Sequence, residues 1–185
     1  MKKKRILLFI FILVFIDQIA KLIVANFFMN SQAVLIDGVL SFYPYLNTGL
    51  SYFISGINIP PIITTMLGGF SLGVYAFFGI YFAYLMGDRK ALILYHVFVS
   101  FSVAMFICRT IDVVCWGGSL DFIEFNGIIY DIKDIYSLSM ISFYILFILF
   151  IIRIIKRRIR LSKDERKEKG FVSWIKKGCP LFEQT

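Results

Sequence analysis

The chain has 185 residues, 59% hydrophobic and 17% charged, with a mean hydropathy of +0.80. That balance excludes a water-soluble globular domain, because too little polar side chain is present to cover so much apolar surface. The formal net charge of +8 would suit nucleic acid, but the basic residues crowd beside apolar segments, where anionic lipid headgroups are the nearer partner; no nucleic-acid partner is expected.

Four apolar segments are each long enough to cross roughly 30 Å of hydrocarbon at about 1.5 Å per residue, which predicts an all-α polytopic membrane protein with four transmembrane helices. The first runs from Ile6 to Ala25 behind a basic start, Lys2 to Arg5. That pattern also fits a cleaved signal peptide, but no small-x-small cleavage site follows, so a retained helix is the expected reading. Within it Asp17 and Lys21 are four residues apart and share a face. They are an ion pair with no other task, or one of them helps to hold a polar ligand or the extracytoplasmic element.

Ala33 to Ile36 and Val39 to Phe42 flank Asp37-Gly38, whose tolerance of positive φ suits a two-residue turn, so a hairpin is expected near residues 33–53. The second apolar segment, Ile62 to Met86, carries Gly68, Gly69, Gly73 and Gly79, which permit close helix approach. The third, Ala91 to Cys108, contains the single histidine, His96, toward its cytoplasmic end and is followed by Arg109 and Asp112. One histidine so placed argues against a Ser-His-Asp triad or a multi-histidine zinc site, and it reads as a buried hydrogen-bonding residue. Asp121 to Phe125 and Ile128 to Asp131 flank Asn126-Gly127, a second hairpin signal, near 117–131. These segments and a small extracytoplasmic β-element fit one face of the membrane. Phe42, Tyr43, Tyr45, Tyr52, Trp116 and Phe122 suit anchoring in the headgroup zone there.

The fourth apolar segment, Ile135 to Ile152, follows Asp131, Lys133 and Asp134. Residues 1–155 thus form the transmembrane domain and 156–185 a basic tail, in which Phe171 to Lys177 either lies on the inner leaflet or is disordered. The three cysteines have no metal-like spacing and no lipobox before them; neither a framework disulfide, a metal nor an organic cofactor is expected.

Basic residues flanking spans are retained on the cytoplasmic side. The N-terminus carries four, the Gly87 to Lys90 loop two and the tail from Arg153 eleven, so with four crossings both termini are cytoplasmic. The opposite face holds Asp37, Asp112, Asp121, Glu124, Asp131 and Asp134.

Ionisable residues at membrane depth each cost at least about 2.5 kcal/mol at mid-helix, so the exceptions carry the information. Asp112 leaves the membrane where Asp134 enters it, on antiparallel neighbours joined by a short loop, and both carboxylates can reach one point near the outer interface. Two close carboxylates tend to share a proton, so that one activates a water while the other supplies the proton, as aspartic peptide hydrolysis requires. Acids at helix ends are also common as solvated groups or dipole partners, and spacing does not decide between the two.

The residues around these acids resemble those of lipoprotein signal peptidase, also called signal peptidase II. Asp17-Gln18-Ile19-Ala20-Lys21 is similar to that family's Asp-Gln-x-x-Lys, and Asn47-Thr48-Gly49-Leu50-Ser51-Tyr52-Phe53 to its Asn-Thr-Gly-Ala-Ala-Phe. Arg109-Thr110-Ile111-Asp112 aligns with Asn-x-x-Asp, and Gly118-Ser119-Leu120-Asp121-Phe122-Ile123 with Val-Val-Asp-Phe-Ile. Tyr130-Asp131-Ile132-Lys133-Asp134 aligns with Phe-Asn-x-Ala-Asp. The motifs occur in family order over most of residues 1–155.

The resemblance implies an aspartic intramembrane endopeptidase of the bacterial cytoplasmic (inner) membrane, acting as a monomer among membrane lipids. It would remove signal peptides from prolipoproteins that carry a diacylglyceryl cysteine. Asp112 and Asp134 match the catalytic dyad; Asp17, Lys21, Asn47 and Gly49 match positions that shape the substrate site. Three residues depart from the pattern: Arg109 and Asp131 stand for Asn, and Lys133 for Ala. Arg109 and Asp131 are each one helical turn from an aspartate of the dyad, so a charge-swapped Arg109–Asp131 bridge is expected. An Arg109–Asp112 pair would instead hinder proton sharing and mark a divergent or inactive paralogue. Two other functions stay open: a catalytically silent membrane protein that binds lipid-modified or signal-peptide ligands, and a small transporter subunit. The gathering of the acids at one interface argues against the transporter.

Overall fold

The computed structural model describes residues 3–48, 61–86, 89–159 and 170–180. It is mostly helical, with one small antiparallel sheet. Helix α1 (Lys3–Ile23) continues into a π-helical turn (Val24–Phe28); strands β1 (Ala33–Ile36) and β2 (Leu40–Asn47) follow. Helices α2 (Pro61–Met86) and α3 (Arg89–Ile111) come next, α3 also ending in a π-helical turn (Asp112–Trp116). Strands β3 (Ser119–Phe125) and β4 (Ile128–Tyr130) lead into helix α4 (Ile132–Ile159), and a short helix α5 (Phe171–Lys176) lies near the C-terminus.

Among the described residues three helices are long and apolar enough to cross a membrane, over Lys4–Phe28, Thr65–Leu85 and Leu92–Trp116. They coincide with the first three apolar segments of the sequence. Their packing is inverted relative to a soluble protein. On α1 the buried stripe is Leu13, Asp17, Lys21 and Val24, whereas Leu8, Phe11, Phe15, Ile19 and Leu22 are exposed. A helix that hides its charges and presents its largest apolar side chains needs an apolar solvent. Helix α3 is central, packing against α1, α2 and α4. Gly79 on α2 admits the Tyr95 ring of α3, which would lie 2.5 Å from any Cβ added there.

The two expected hairpins form, and they also pair with each other. The strand order is β1-β2-β3-β4, with β2 antiparallel to β3 in a register that sets Phe42 opposite Ile123 and Tyr45 opposite Asp121. The register shifts between Phe42 and Tyr45, around buried Pro44, which has no N–H to offer a partner strand. Asn126 and Gly127 take φ of 50° and 77°, as a two-residue turn with both residues left-handed requires. The first turn differs from expectation. Ile36 pairs with Leu40, leaving a three-residue loop of Asp37, Gly38 and Val39, closed by Val39 N–H donating to Ile36 O at 3.0 Å. The irregular pairing between Val34 and Ile36 takes up the extra residue.

Two of the six aromatic residues expected at the headgroups serve the core instead. Phe122 is 7% exposed and packs with Leu120 and Val24, and Phe42 leans on both Phe28 and Phe122. The sheet is thereby seated on the π-helical end of α1. Tyr43 and Tyr45 remain exposed, while Tyr52 lies outside the described residues.

The tail segment expected either on the leaflet or disordered is helix α5, folded back on α2. Phe171 and Trp174 pack against Phe77 and Tyr81, and Trp174 is fully buried. Its indole N–H donates to Pro180 O at 3.1 Å, closing the chain into a hook.

Two variants test this packing. Gly118→Ala puts a Cβ 2.6 Å from Asn47 O, against backbone that cannot swing aside. It is expected to cost about 1–3 kcal/mol and to lower the Tm of the purified protein. Trp174→Ala is expected to release α5, read as loss of amide-exchange protection across Phe171–Lys176 with the sheet's protection unchanged.

Candidate active site

The site lies where the C-terminal ends of α1 and α3, the start of α4 and strand β3 meet. Local structure explains each side chain's position. Asp17 and Lys21 project from the buried stripe of α1 one turn apart. Asp112 is the first residue of the π-helical turn that ends α3, and its carbonyl accepts from Gly117 N–H and, at 3.3 Å, from Gly118 N–H. Gly117 takes φ of 70°, which lets the chain reverse straight into β3. Ser119 and Asp121, two apart on β3, share one face of the strand.

Asp131 and Asp134 form a reciprocal cap on α4. Asp134 N–H donates to Asp131 Oδ1 at 3.1 Å, and Asp131 N–H donates to Asp134 Oδ2 at 3.1 Å. This is the capping-box arrangement with aspartate in both roles, and it satisfies amides that the start of a helix leaves without a partner.

The centre of the site is a buried cluster of charge. Lys21 Nζ lies 2.9 Å from Asp17 Oδ2, 2.8 Å from each oxygen of Asp112 and 2.7 Å from Asp131 Oδ2. Lys133 Nζ lies 3.0 Å from Asp112 Oδ2 and also bonds Asp131 and Ser119. Asp17, Lys21, Asp112 and Asp131 are fully buried. Gln18 Nε2 donates to Asp17 at 3.0 Å and to Asp112 Oδ1 at 3.3 Å. Asp17 Oδ1 accepts Lys133 N–H at 3.0 Å, tying the start of α4 to α1. At the edge, Ser119 Oγ is 2.6 Å from Asp121 Oδ1, and Asn47 Nδ2 donates to Asp121 Oδ2 at 3.0 Å. Among the described residues every buried side-chain nitrogen and oxygen has a partner.

Outside the spans, the two sheet-side acids are driven in opposite directions. Burial would push Asp131 up, but Lys133 and Lys21 beside it hold its carboxyl below the ordinary aspartate value. Burial pushes Asp121 up, and the hydrogen bonds from Ser119 and Asn47 only partly offset it. The carboxylates of Asp17, Asp112 and Asp131 lie within 4.8 Å of one another, as do those of Asp121, Asp131 and Asp134. In the first group the positive charge that a metal would bring is already supplied by Lys21.

A comparison with protein families matches residues 9–162 to the family described as signal peptidase (SPase) II. The chain belongs to the signal peptidase II family. That family is one of aspartic peptidases, hydrolases that process lipoproteins at their signal peptides. Two solved structures, each titled as a bacterial membrane enzyme determined by the in meso method, share the fold. One, at 2.3 Å resolution, has 21% identity and a TM-score of 0.61 over 80% of this chain and 89% of its own. The other, at 1.9 Å, has 20% identity and a TM-score of 0.58 over 80% and 94%. No match is found among curated protein sequences.

Set against the signal peptidase II pattern, the sequence-derived residues fall into three groups. Asp17, Lys21, Asp112 and Asp131 share one bonded cluster, and Asp134 joins it through the cap on α4. Asn47 joins through Asp121. Arg109 does not: the ion pairs of Asp131 are with Lys21 and Lys133, so the expected Arg109–Asp131 bridge does not form, and the ammonium partners of Asp112 are the same two lysines. Lys133 follows Asp131 closely enough to reach both acids, whereas Arg109 sits one turn back along α3. Gly49 lies outside the described residues. Sequence reasoning missed Gln18, Ser119 and the central place of Lys133. The signal for Ser119 was its i, i+2 spacing from Asp121 on a strand; for Lys133 it was a charge where the family pattern has a small residue.

Lys21→Met is expected to leave three buried carboxylates facing one ammonium. Breaking a buried ion pair from one side costs about 3–5 kcal/mol, so a Tm drop of many degrees is expected on thermal unfolding in detergent, with partial recovery in the Lys21→Met, Asp17→Asn double variant.

Proposed function

We propose that this chain is an aspartic intramembrane endopeptidase that removes signal peptides from diacylglyceryl-modified prolipoproteins, with Asp112 and Asp134 as the two acids that handle the attacking water. Asp17, Lys21, Asn47, Gly49, Arg109 and Asp131 shape or brace the substrate site. In this reading α4 is a fourth span, both termini are cytoplasmic, and the protein resides in the bacterial inner membrane as a monomer. The observation that supports it is that Asp112 and Asp131 share Lys21 while Asp134 and Asp131 cap each other, in a chain of this family.

The chemistry follows from two carboxyl groups in different states. One carboxylate takes a proton from water as the water oxygen bonds to the scissile carbonyl carbon; the other carboxyl delivers a proton to the amide nitrogen as the C–N bond breaks. A site at the outer end of the helices meets a membrane-held signal peptide where its lipid-bearing cysteine emerges. The charge of Lys21 close to Asp112 would also balance negative charge developing nearby.

A second reading has a specific observation in its favour. Asp112 is bonded by both lysines and by Gln18, which suits a silent protein that binds such ligands without cutting them.

The deciding experiment expresses the chain, Asp112→Asn or Asp134→Asn in bacteria depleted of their own signal peptidase II and follows the gel shift from precursor to mature lipoprotein. Maturation by the parent, with a drop of at least about a hundredfold in either variant, is expected. Precursor accumulating beside a well-inserted parent would favour the silent binder.

A further inference from the structure

Both oxygens of Asp112 are crowded by donors. A carboxylate offers about four lone-pair positions, two on each oxygen. Lys21 at 2.8 Å and Gln18 at 3.3 Å donate to Oδ1; Lys21 at 2.8 Å donates to Oδ2, where the Lys133 ammonium also stands in ion-pair contact at 3.0 Å. Ser119 Oγ stands a further 3.4 Å from Oδ2. A water that Asp112 is to activate must hydrogen-bond one of these oxygens, so one donor has to leave first.

The donors are not equally free to go. Lys21 bonds three carboxylates, and removing it from Asp112 would pull apart α1, α3 and α4 at once. Gln18 is a long, neutral contact, and it blocks Oδ1 alone. Lys133 can leave Asp112 while keeping Asp131 and Ser119, because those are separate and closer contacts of the same ammonium. Its backbone is fixed by the bond from its N–H to Asp17, so withdrawal needs only a change along its flexible stem.

We propose that Lys133 is a positioning residue that keeps the site closed: its ammonium occupies, on Asp112 Oδ2, the place of the attacking water, and cleavage proceeds when it withdraws onto Asp131 and Ser119. This rests on the reading of Asp112 as an acid that handles water. The site is thus self-occupied at rest, and a bound substrate opens it by competing for the same small space.

The test measures kcat and KM of the purified full-length protein in detergent on a diacylglyceryl-modified prolipoprotein peptide, for the parent, Lys133→Met, Lys133→Gln and Lys133→Arg. Met keeps the stem without the charge; Gln also keeps a donor for Ser119. A several-fold rise in kcat for Met and Gln, with KM little changed and Tm lowered, is expected, while Arg stays at or below the parent. A merely structural lysine would lose activity and stability together. If the parent cleaves and the neutral variants are no faster, the inference is overturned and the peptidase reading stands. If no variant cleaves, the peptidase reading fails, and closure is then read without turnover. A hydrophobic carbodiimide is used to label free carboxyl groups, and modification of Asp112 is quantified by mass spectrometry. Greater labelling in Lys133→Met than in the parent upholds the covering of Asp112 by Lys133, though not its part in cleavage; equal labelling overturns it.

Discussion

One ammonium group organises the sheet-bearing end of this protein. Lys21 Nζ bonds carboxylates from α1, from the turn that ends α3 and from the residue that caps α4, all fully buried. Those carboxylates crowd within 4.8 Å of one another and would repel without it. The attraction is large because little water reaches the site, and for the same reason no member can be removed cheaply. From this point the rest of the architecture at that end is placed in steps. Asp131 caps α4, Lys133 joins Asp131 to Ser119, Ser119 donates to Asp121, and Asn47 extends the chain of bonds to β2.

The same geometry explains how a small membrane protein tolerates so much charge. The ionisable side chains sit inside the bundle end, and the residues turned outward along α1 are Leu, Phe and Ile. The cost of the buried charges is met by one another and by Gln18, Ser119 and backbone amides instead of by water. Membership of the signal peptidase II family gives this arrangement a chemical setting.

The three candidate spans among the described residues were legible because membrane thickness fixes their length and few charges interrupt them. Both hairpins were legible from Asp37-Gly38 and Asn126-Gly127, since positive φ restricts residue choice; the first loop gained Val39 because a bulge in β1 absorbs it. The pairing of β2 with β3 was not legible: partners such as Asn47 and Ser119 are far apart in the chain, and no local pattern encodes who pairs with whom. Asp17 with Lys21 was readable from an i, i+4 spacing. The convergence of Lys21 on Asp112 and Asp131 was not, because it depends on how three helices cross. Arg109 misled for a related reason: charge and spacing named a plausible partner, but the shorter path from Lys133 took it.

The i, i+4 relation of Asp17 and Lys21 also bears on how the chain is made. The ribosome delivers α1 long before Asp112 and Asp131 exist, so the first helix must enter the membrane without two of the three acids that Lys21 finally serves. Asp17, one turn away, supplies a partner within the same helix from the start. The lysine therefore reaches the bilayer already half-neutralised, and the later helices recruit it from that temporary partnership as they arrive. Biogenesis and the finished site draw on one pair of residues, in sequence.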